Sequence, residues 1–163
     1  MNAVITEKLI LRVLLALCIS ALGLAYISEV AFGYKPCILC LYQRIPYFLI
    51  IIFSSIGLLY VNKKHLVKIA IILSIIALFI NSGIAFYQVG IEQKVFKMTA
   101  KCADDLSQIN SLEDLKLAIN NKTSARCDEP DFIFLGLSMA AWNMIFTFTL
   151  AILAIFLYKR RQT

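Results

Sequence analysis

Four runs of apolar residues, each long enough to cross about 30 Å of hydrocarbon, constrain this chain more than any other feature. They cover residues 9–30, 45–61, 66–85 and 132–157, with Arg12 near the start of the first and Lys68 at the entry of the third. No water reaches the backbone inside lipid, so each run must satisfy its own N–H and C=O groups and is read as a helix. The expected fold is an all-α membrane protein. Its 163 residues form a single membrane domain, a four-transmembrane-helix bundle. Composition agrees, since 61% of the residues are hydrophobic and 16% charged, against about 45–50% and about 25% in a soluble domain. A cleaved signal peptide is the rival reading of the first run. Lys8 supplies its basic start, but the apolar stretch exceeds the usual length of about 7–15 residues and no small-x-small cleavage site follows. The run is therefore kept as a helix.

The net charge of +6 would suggest nucleic acid if the basic residues shared a soluble face. They flank the apolar runs instead, which makes them topology signals and leaves no nucleic-acid partner. Lys8, Arg12, Lys63, Lys64, Lys68, Lys159, Arg160 and Arg161 stand against the single acid Glu7 at one set of ends. In the loops over residues 31–44 and 86–131 acids offset bases almost one for one. Both termini and the 63–65 turn are thus expected to be cytoplasmic, and the two loops to face outward. In the long second loop Ser111 precedes Asp114 by three residues, a capping-box-like start. Leu112, Leu115, Leu117 and Ile119 follow. A short amphipathic helix is expected there, either on the membrane surface or packed on the loop itself.

Of five cysteines, Cys37, Cys40, Cys102 and Cys127 fall in the outward loops and Cys18 in the first run. An outward compartment permits disulfides, and an even number fits two pairs with three possible connectivities. The spacing of Cys37 and Cys40 suits a small reducible ring. Structural staples would explain Cys102 and Cys127, but closing so short a loop as 37–40 removes little unfolded-state entropy. A zinc site lacks paired knuckles and an outward histidine, so no metal is expected. A c-type haem would need histidine where Leu41 stands. Cys18 reads as a small packing residue.

Cys40 lies just ahead of the second run, where the positive end of a helix would favour its thiolate. Arg44 follows four residues later and a helical turn would carry it to the same side. An arginine at a membrane edge can also simply snorkel to headgroups, yet this one lies on the side where positive charge is less expected, which favours function. Pro46 suits the first turn of a helix. A helix starting at Ile45 would leave Arg44 at the cap.

The run from Lys35 through Pro36, Cys37, Ile38, Leu39, Cys40, Leu41, Tyr42, Gln43 and Arg44 resembles the signature of the DsbB family of bacterial disulfide bond formation proteins. The run from Phe134 through Leu135, Gly136, Leu137, Ser138, Met139, Ala140, Ala141, Trp142 and Asn143 resembles the start of that family's fourth helix. The resemblance covers nearly the whole chain. It implies a membrane thiol oxidase of the bacterial inner membrane that reoxidises a periplasmic DsbA-like thioredoxin-fold oxidase and hands the electrons to quinone, either ubiquinone or menaquinone. It also implies roles. Cys102 is attacked by the partner's thiolate, Cys127 is released and attacks Cys37, Cys40 is freed to meet the quinone, and Arg44 contacts it. Where many relatives carry histidine this chain has Gln88, which can donate to a quinone carbonyl but cannot shuttle a proton near neutral pH. Water or Glu92 could serve instead.

The physical argument runs alongside. A DsbA-type partner, at about −120 mV, is too oxidising for glutathione-type disulfides to regenerate. The chain shows no dinucleotide fingerprint and holds one histidine, His65, so a lipid-soluble acceptor is the simplest remaining sink. Two alternatives are kept. One is a vitamin K epoxide reductase-like thiol/quinone oxidoreductase, whose CxxC lies near the end of its bundle. The other is a non-enzymatic membrane scaffold with structural disulfides.

Overall fold

The computed structural model describes residues 2–33, 36–97, 127–128 and 133–160. Among them are four helices, α1 (Asn2–Phe32), α2 (Ile38–Leu59), α3 (Lys64–Glu92) and α4 (Met139–Arg160), and a two-stranded hairpin, β1 (Ile133–Phe134) and β2 (Leu137–Ser138). All four helices are long and apolar enough to cross a membrane, and the protein is an all-α membrane protein built as a four-helix bundle. The helix expected around residues 111–119 lies outside the described residues.

The helix ends differ from the hydropathy boundaries in an instructive way. The second helix begins at Ile38 and not at Ile45, so Pro46 lies inside it. Proline there forgoes one backbone bond, to the carbonyl of Tyr42, but the helix continues to Leu59. The third helix runs on past residue 85 to Glu92. Its buried stripe continues through Asn81, Ala85, Gln88 and Ile91, a helical spacing that hydropathy misses because two of the four are polar. The fourth helix starts at Met139, not residue 132, because Ile133 pairs with Ser138 and Phe134 with Leu137 across the hairpin. Its two-residue turn, Leu135 and Gly136, has φ of 52° and 80°, the left-handed pair that a tight hairpin requires.

The chain order makes short connections and antiparallel neighbours. Residues 60–63 join α2 to α3, and Lys63 N–H donates to the Tyr60 carbonyl at 2.9 Å. Helix α2 packs between α1 and α3, while α4 lies mainly on α3, the most enclosed of the four. Leu11, Leu14, Cys18, Ile50, Ile71 and Leu78 form the centre of the main core. Cys18 is fully buried there, in the packing role its apolar setting suggests. Near the α2–α3 turn Gly57 lets helices approach, since a Cβ would stand 2.7 Å from Leu11 Cδ1 and 3.0 Å from Ala70 Cβ, the small-residue packing that membrane bundles rely on.

The far end of α3 is closed by its backbone. Val95 N–H donates to the Gly90 carbonyl at 2.8 Å and Lys94 N–H to the Ile91 carbonyl at 2.9 Å. With Lys94 at φ 57° this is a Schellman cap. The cap turns Phe96 back over the helix, where its ring stacks on Tyr87 at 5.6 Å between centroids. Only glycine at position 90 allows this, for a Cβ there would lie 2.0 Å from the Phe96 ring. The last turns of α3 are thereby held rigid beside the start of α2.

Candidate redox site

Cys37 is the N-cap of α2, with extended backbone, and its sulfur accepts the Cys40 N–H at 3.3 Å. The motif therefore forms the opening turn of the helix, with Cys40 at its third position, where the helix end favours negative charge. The Cys37 thiol donates to the Cys40 sulfur across 2.8 Å. That hydrogen bond, with burial second, pushes the Cys37 thiol well above the ordinary thiol range. The thiol proton lies on Cys37 and points at Cys40, while both sulfurs also face N–H donors. Cys37 is buried and Cys40 partly open.

Gln88 of α3 faces both sulfurs, its Nε2 lying 3.5 Å from Cys37 Sγ and 3.4 Å from Cys40 Sγ. The same nitrogen is 3.5 Å from Glu92 Oε1. The amide oxygen of Gln88 accepts from Gln43 Nε2 at 2.7 Å. In turn the Gln43 oxygen accepts from Asn143 Nδ2 at 2.6 Å, and the Asn143 oxygen accepts from the Tyr47 hydroxyl. A continuous chain of side-chain hydrogen bonds thus crosses α2, α3 and α4 and ends on the cysteine pair. Cys40 Sγ also lies 3.8 Å from the Gln88 oxygen, a longer contact than the one to nitrogen.

Cys127 is 2% exposed and packs in one apolar cluster with Cys37, Leu39 and Ile91. The fold thus brings together three of the four loop cysteines and Gln88. Cys102 lies outside the described residues. Arg44 is inside α2, one helical turn beyond Cys40, and its Nη2 donates to Glu29 Oε2 of α1 at 2.8 Å, with the guanidinium 4.6 Å above the Tyr26 ring. Its neighbour Gln43 is the residue that reaches Gln88 beside the pair. His65 is exposed in the first turn of α3, about 35 Å of helix away from Gln88 at 1.5 Å per residue.

The model of the family "Disulfide bond formation protein DsbB" matches residues 7–157, from the first turns of α1 almost to the end of α4. The chain belongs to the DsbB family. Its relatives include an uncharacterized protein of Rickettsia prowazekii (strain Madrid E), 30% identical over 147 residues that cover 89% of this chain and 84% of that one. "Disulfide bond formation protein B" of Xanthomonas euvesicatoria pv. vesicatoria (strain 85-10) is 28% identical over 90% of this chain and 87% of its own. "Disulfide bond formation protein B 1" of Pseudomonas fluorescens (strain Pf0-1) is 27% identical over 96% and 91%.

DsbB membership supports a membrane protein of disulfide bond formation. Within that frame, four residues of this chain's site escaped the sequence reading. Gln43, Asn143 and Tyr47 build the hydrogen-bond chain, and Glu29 holds Arg44. A signal for three of them was present, because Gln43, Asn143 and Glu29 interrupt or border apolar helices, and polar side chains in such places mark functional contacts.

Proposed function

We propose that this chain is a protein-dithiol:quinone oxidoreductase that reoxidises a periplasmic DsbA-like thioredoxin-fold oxidase and delivers the electrons to membrane quinone. The observation that supports it most is the packing of Cys37, Cys40 and Cys127 with Gln88 at one end of the bundle. Staples would not need a pair at the opening turn of a helix beside a third cysteine.

The steps follow from family resemblance and thiol chemistry. A partner thiolate attacks Cys102 in a Cys102–Cys127 disulfide, forming an intermolecular disulfide and leaving the electron pair on Cys127. The Cys127 thiolate attacks Cys37, the S–S bond between Cys37 and Cys40 breaks, and Cys40 departs as thiolate. The partner's second thiol then resolves its disulfide with Cys102, and the freed Cys102 thiolate attacks Cys127, which restores Cys102–Cys127 and leaves Cys37 and Cys40 as the reduced pair that would give two electrons to a quinone. Cys127 and Cys37 share one apolar cluster, which suits the middle step, whereas Cys40 sits at the helix terminus that stabilises the departing charge.

The residues around Cys40 suit a quinone. Among the described residues the one hydrogen bond of Arg44 is to Glu29, so the rest of its planar fork can meet a carbonyl. Leu41, Ile45 and Phe48 of the same helix are exposed and offer an apolar surface for the ring. Gln88 supplies a second donor, its side-chain amide. A bound quinone supplies a two-electron, two-proton sink. Glu92, half-buried and in contact with Gln88, is an acid or base beside the pair that can exchange protons with the outward loops. In this reading the protein lies in the bacterial inner membrane with both termini cytoplasmic and its redox cysteines periplasmic.

Purified protein given reduced partner and ubiquinone or menaquinone should reduce the quinone stoichiometrically with partner oxidation. Cys102→Ser should abolish the mixed disulfide with the partner and leave Cys37–Cys40 able to react with a small dithiol. Normal turnover of the protein partner by Cys102→Ser would refute the assignment of that loop.

A further inference from the structure

The chain Tyr47–Asn143–Gln43–Gln88 has a direction, and the direction decides which end of the Gln88 amide meets sulfur. Each amide in it accepts with its oxygen from the residue before it and donates with its nitrogen to the next. Gln88 comes last, so its nitrogen is left for Cys37, Cys40 and Glu92. Reversal of one member would leave two oxygens or two N–H groups facing each other. Gln43 and Gln88 are buried, and an unmade bond there costs about 1–3 kcal/mol. All members must therefore reverse together or not at all.

Glu92 supplies the reason they do not reverse. The Gln88 nitrogen is the group that faces Glu92 at 3.5 Å, and an ionised carboxylate, which only accepts, favours that sense of the amide. Glu92 is also joined to Ser138, whose oxygen caps α4 by accepting the Ala141 N–H at 3.2 Å. The acid is held from the α4 side, and Asn143 enters the chain from that same helix. Asn143 in α4 and Ser138 at its N-cap thus bracket the Gln43–Gln88 pair, and the sulfurs lie at the outlet of the chain. Amides pass protons poorly because each transfer demands an unstable tautomer, so this chain orients a group and does not conduct.

We propose that Gln43 and Asn143 are positioning residues that act on Cys40 through Gln88, fixing its amide so that N–H and not C=O faces the thiolate released when the Cys37–Cys40 bond opens. This deepens the thiol-oxidase reading and rests on it for its purpose. A hydrogen bond to a charged sulfur in a low-dielectric site is stronger than one to a neutral thiol. A neutral donor also fits the position, since a cation would have to be buried there.

The test needs neither partner nor quinone, so it stands apart from the test of the overall function. In a Cys37→Ser background, the rate at which a small alkylating reagent modifies Cys40 at pH 7 reports its thiolate. Gln88→Leu should slow that rate by about tenfold or more, the range expected when a hydrogen bond to a charged group is lost. Gln43→Leu should slow it about three- to tenfold, as the Gln88 amide becomes free to turn. The decisive arm is the double variant Gln43→Leu/Gln88→Leu, which should be no slower than Gln88→Leu alone, because Gln43 has nothing left to act through. Asn143→Leu, one step further out, should show a smaller loss with the same dependence on Gln88. It carries the test if Gln43→Leu does not fold. A full alkylation rate in Gln43→Leu, or losses that multiply in the double variants, would overturn the proposal.

Discussion

Arg44 of α2 and Glu29 of α1 form an ion pair at 2.8 Å, with Tyr26 beneath the guanidinium. The pair ties the start of α2, and with it the cysteine turn, to the first helix. It also means that any quinone oxygen bound by Arg44 shares the cation with a carboxylate. Arg44→Ala should raise the KM for quinone about tenfold or more, the cost of losing a hydrogen bond from a charged group, while thiol exchange at Cys102 stays unchanged. Glu29→Gln should do much less, and since the carboxylate is more than a third exposed its loss should lower stability by about 1 kcal/mol or less. Quinone reduction against quinone concentration, with thermal unfolding of the same detergent-solubilised variants, checks both.

Cys37 holds its proton, first because it donates to Cys40 and second because it is buried. Its folded pKa is raised, so it stays a thiol through the range in which an exposed cysteine, of pKa about 8.5, ionises. Alkylation of the reduced protein between pH 7 and pH 9 (values spanning that point) should mark Cys40 first, with Cys37 far behind. Cys40→Ala removes the larger cause and leaves burial, so it should make Cys37 more reactive without reaching the rate of a free thiol. Mass spectrometry of the labelled peptide reads the order directly. Equal labelling of the two sulfurs would contradict the asymmetry.

Gly90 exists for Phe96. Gly90→Ala places a methyl inside the ring's position and should destabilise the protein by about 1–3 kcal/mol, as overpacking does. Phe96→Ala should relieve most of that added cost, so the double variant should be nearer to Phe96→Ala than the sum of the single effects predicts. Thermal unfolding of the three variants measures it, and strictly additive losses would sink the idea.

The expected orientation can be tested with reporter tags. Tags at Lys64 and Thr163 should report cytoplasm, and a tag near Asn120 should report periplasm. A periplasmic signal from Thr163 would mean that the fourth helix does not cross as expected from the basic residues at its end.

The number of spans and the helical class were legible in the sequence because transfer into lipid is close to a sum over residues. Four apolar runs needed no knowledge of what they pack against. The cysteine motif was legible for a similar reason, since a CxxC turn is local in the chain. Helix ends were less so. Pro46 looks like a start signal, yet the bundle keeps α2 helical for seven residues before Ile45, back to Ile38. Gln88 looks like loop, but the stripe from Asn81 to Ile91 keeps it in α3. The partners of the polar side chains belonged to tertiary structure alone. Gln43 meets Gln88 across 45 residues of chain and Asn143 across 100, and Arg44 pairs with a carboxylate on another helix. Those pairings depend on the rotation and depth of each helix against its neighbours. Hydropathy sums carry no such information, because every rotation of an apolar helix has the same sum, while a hydrogen bond exists at only one of them.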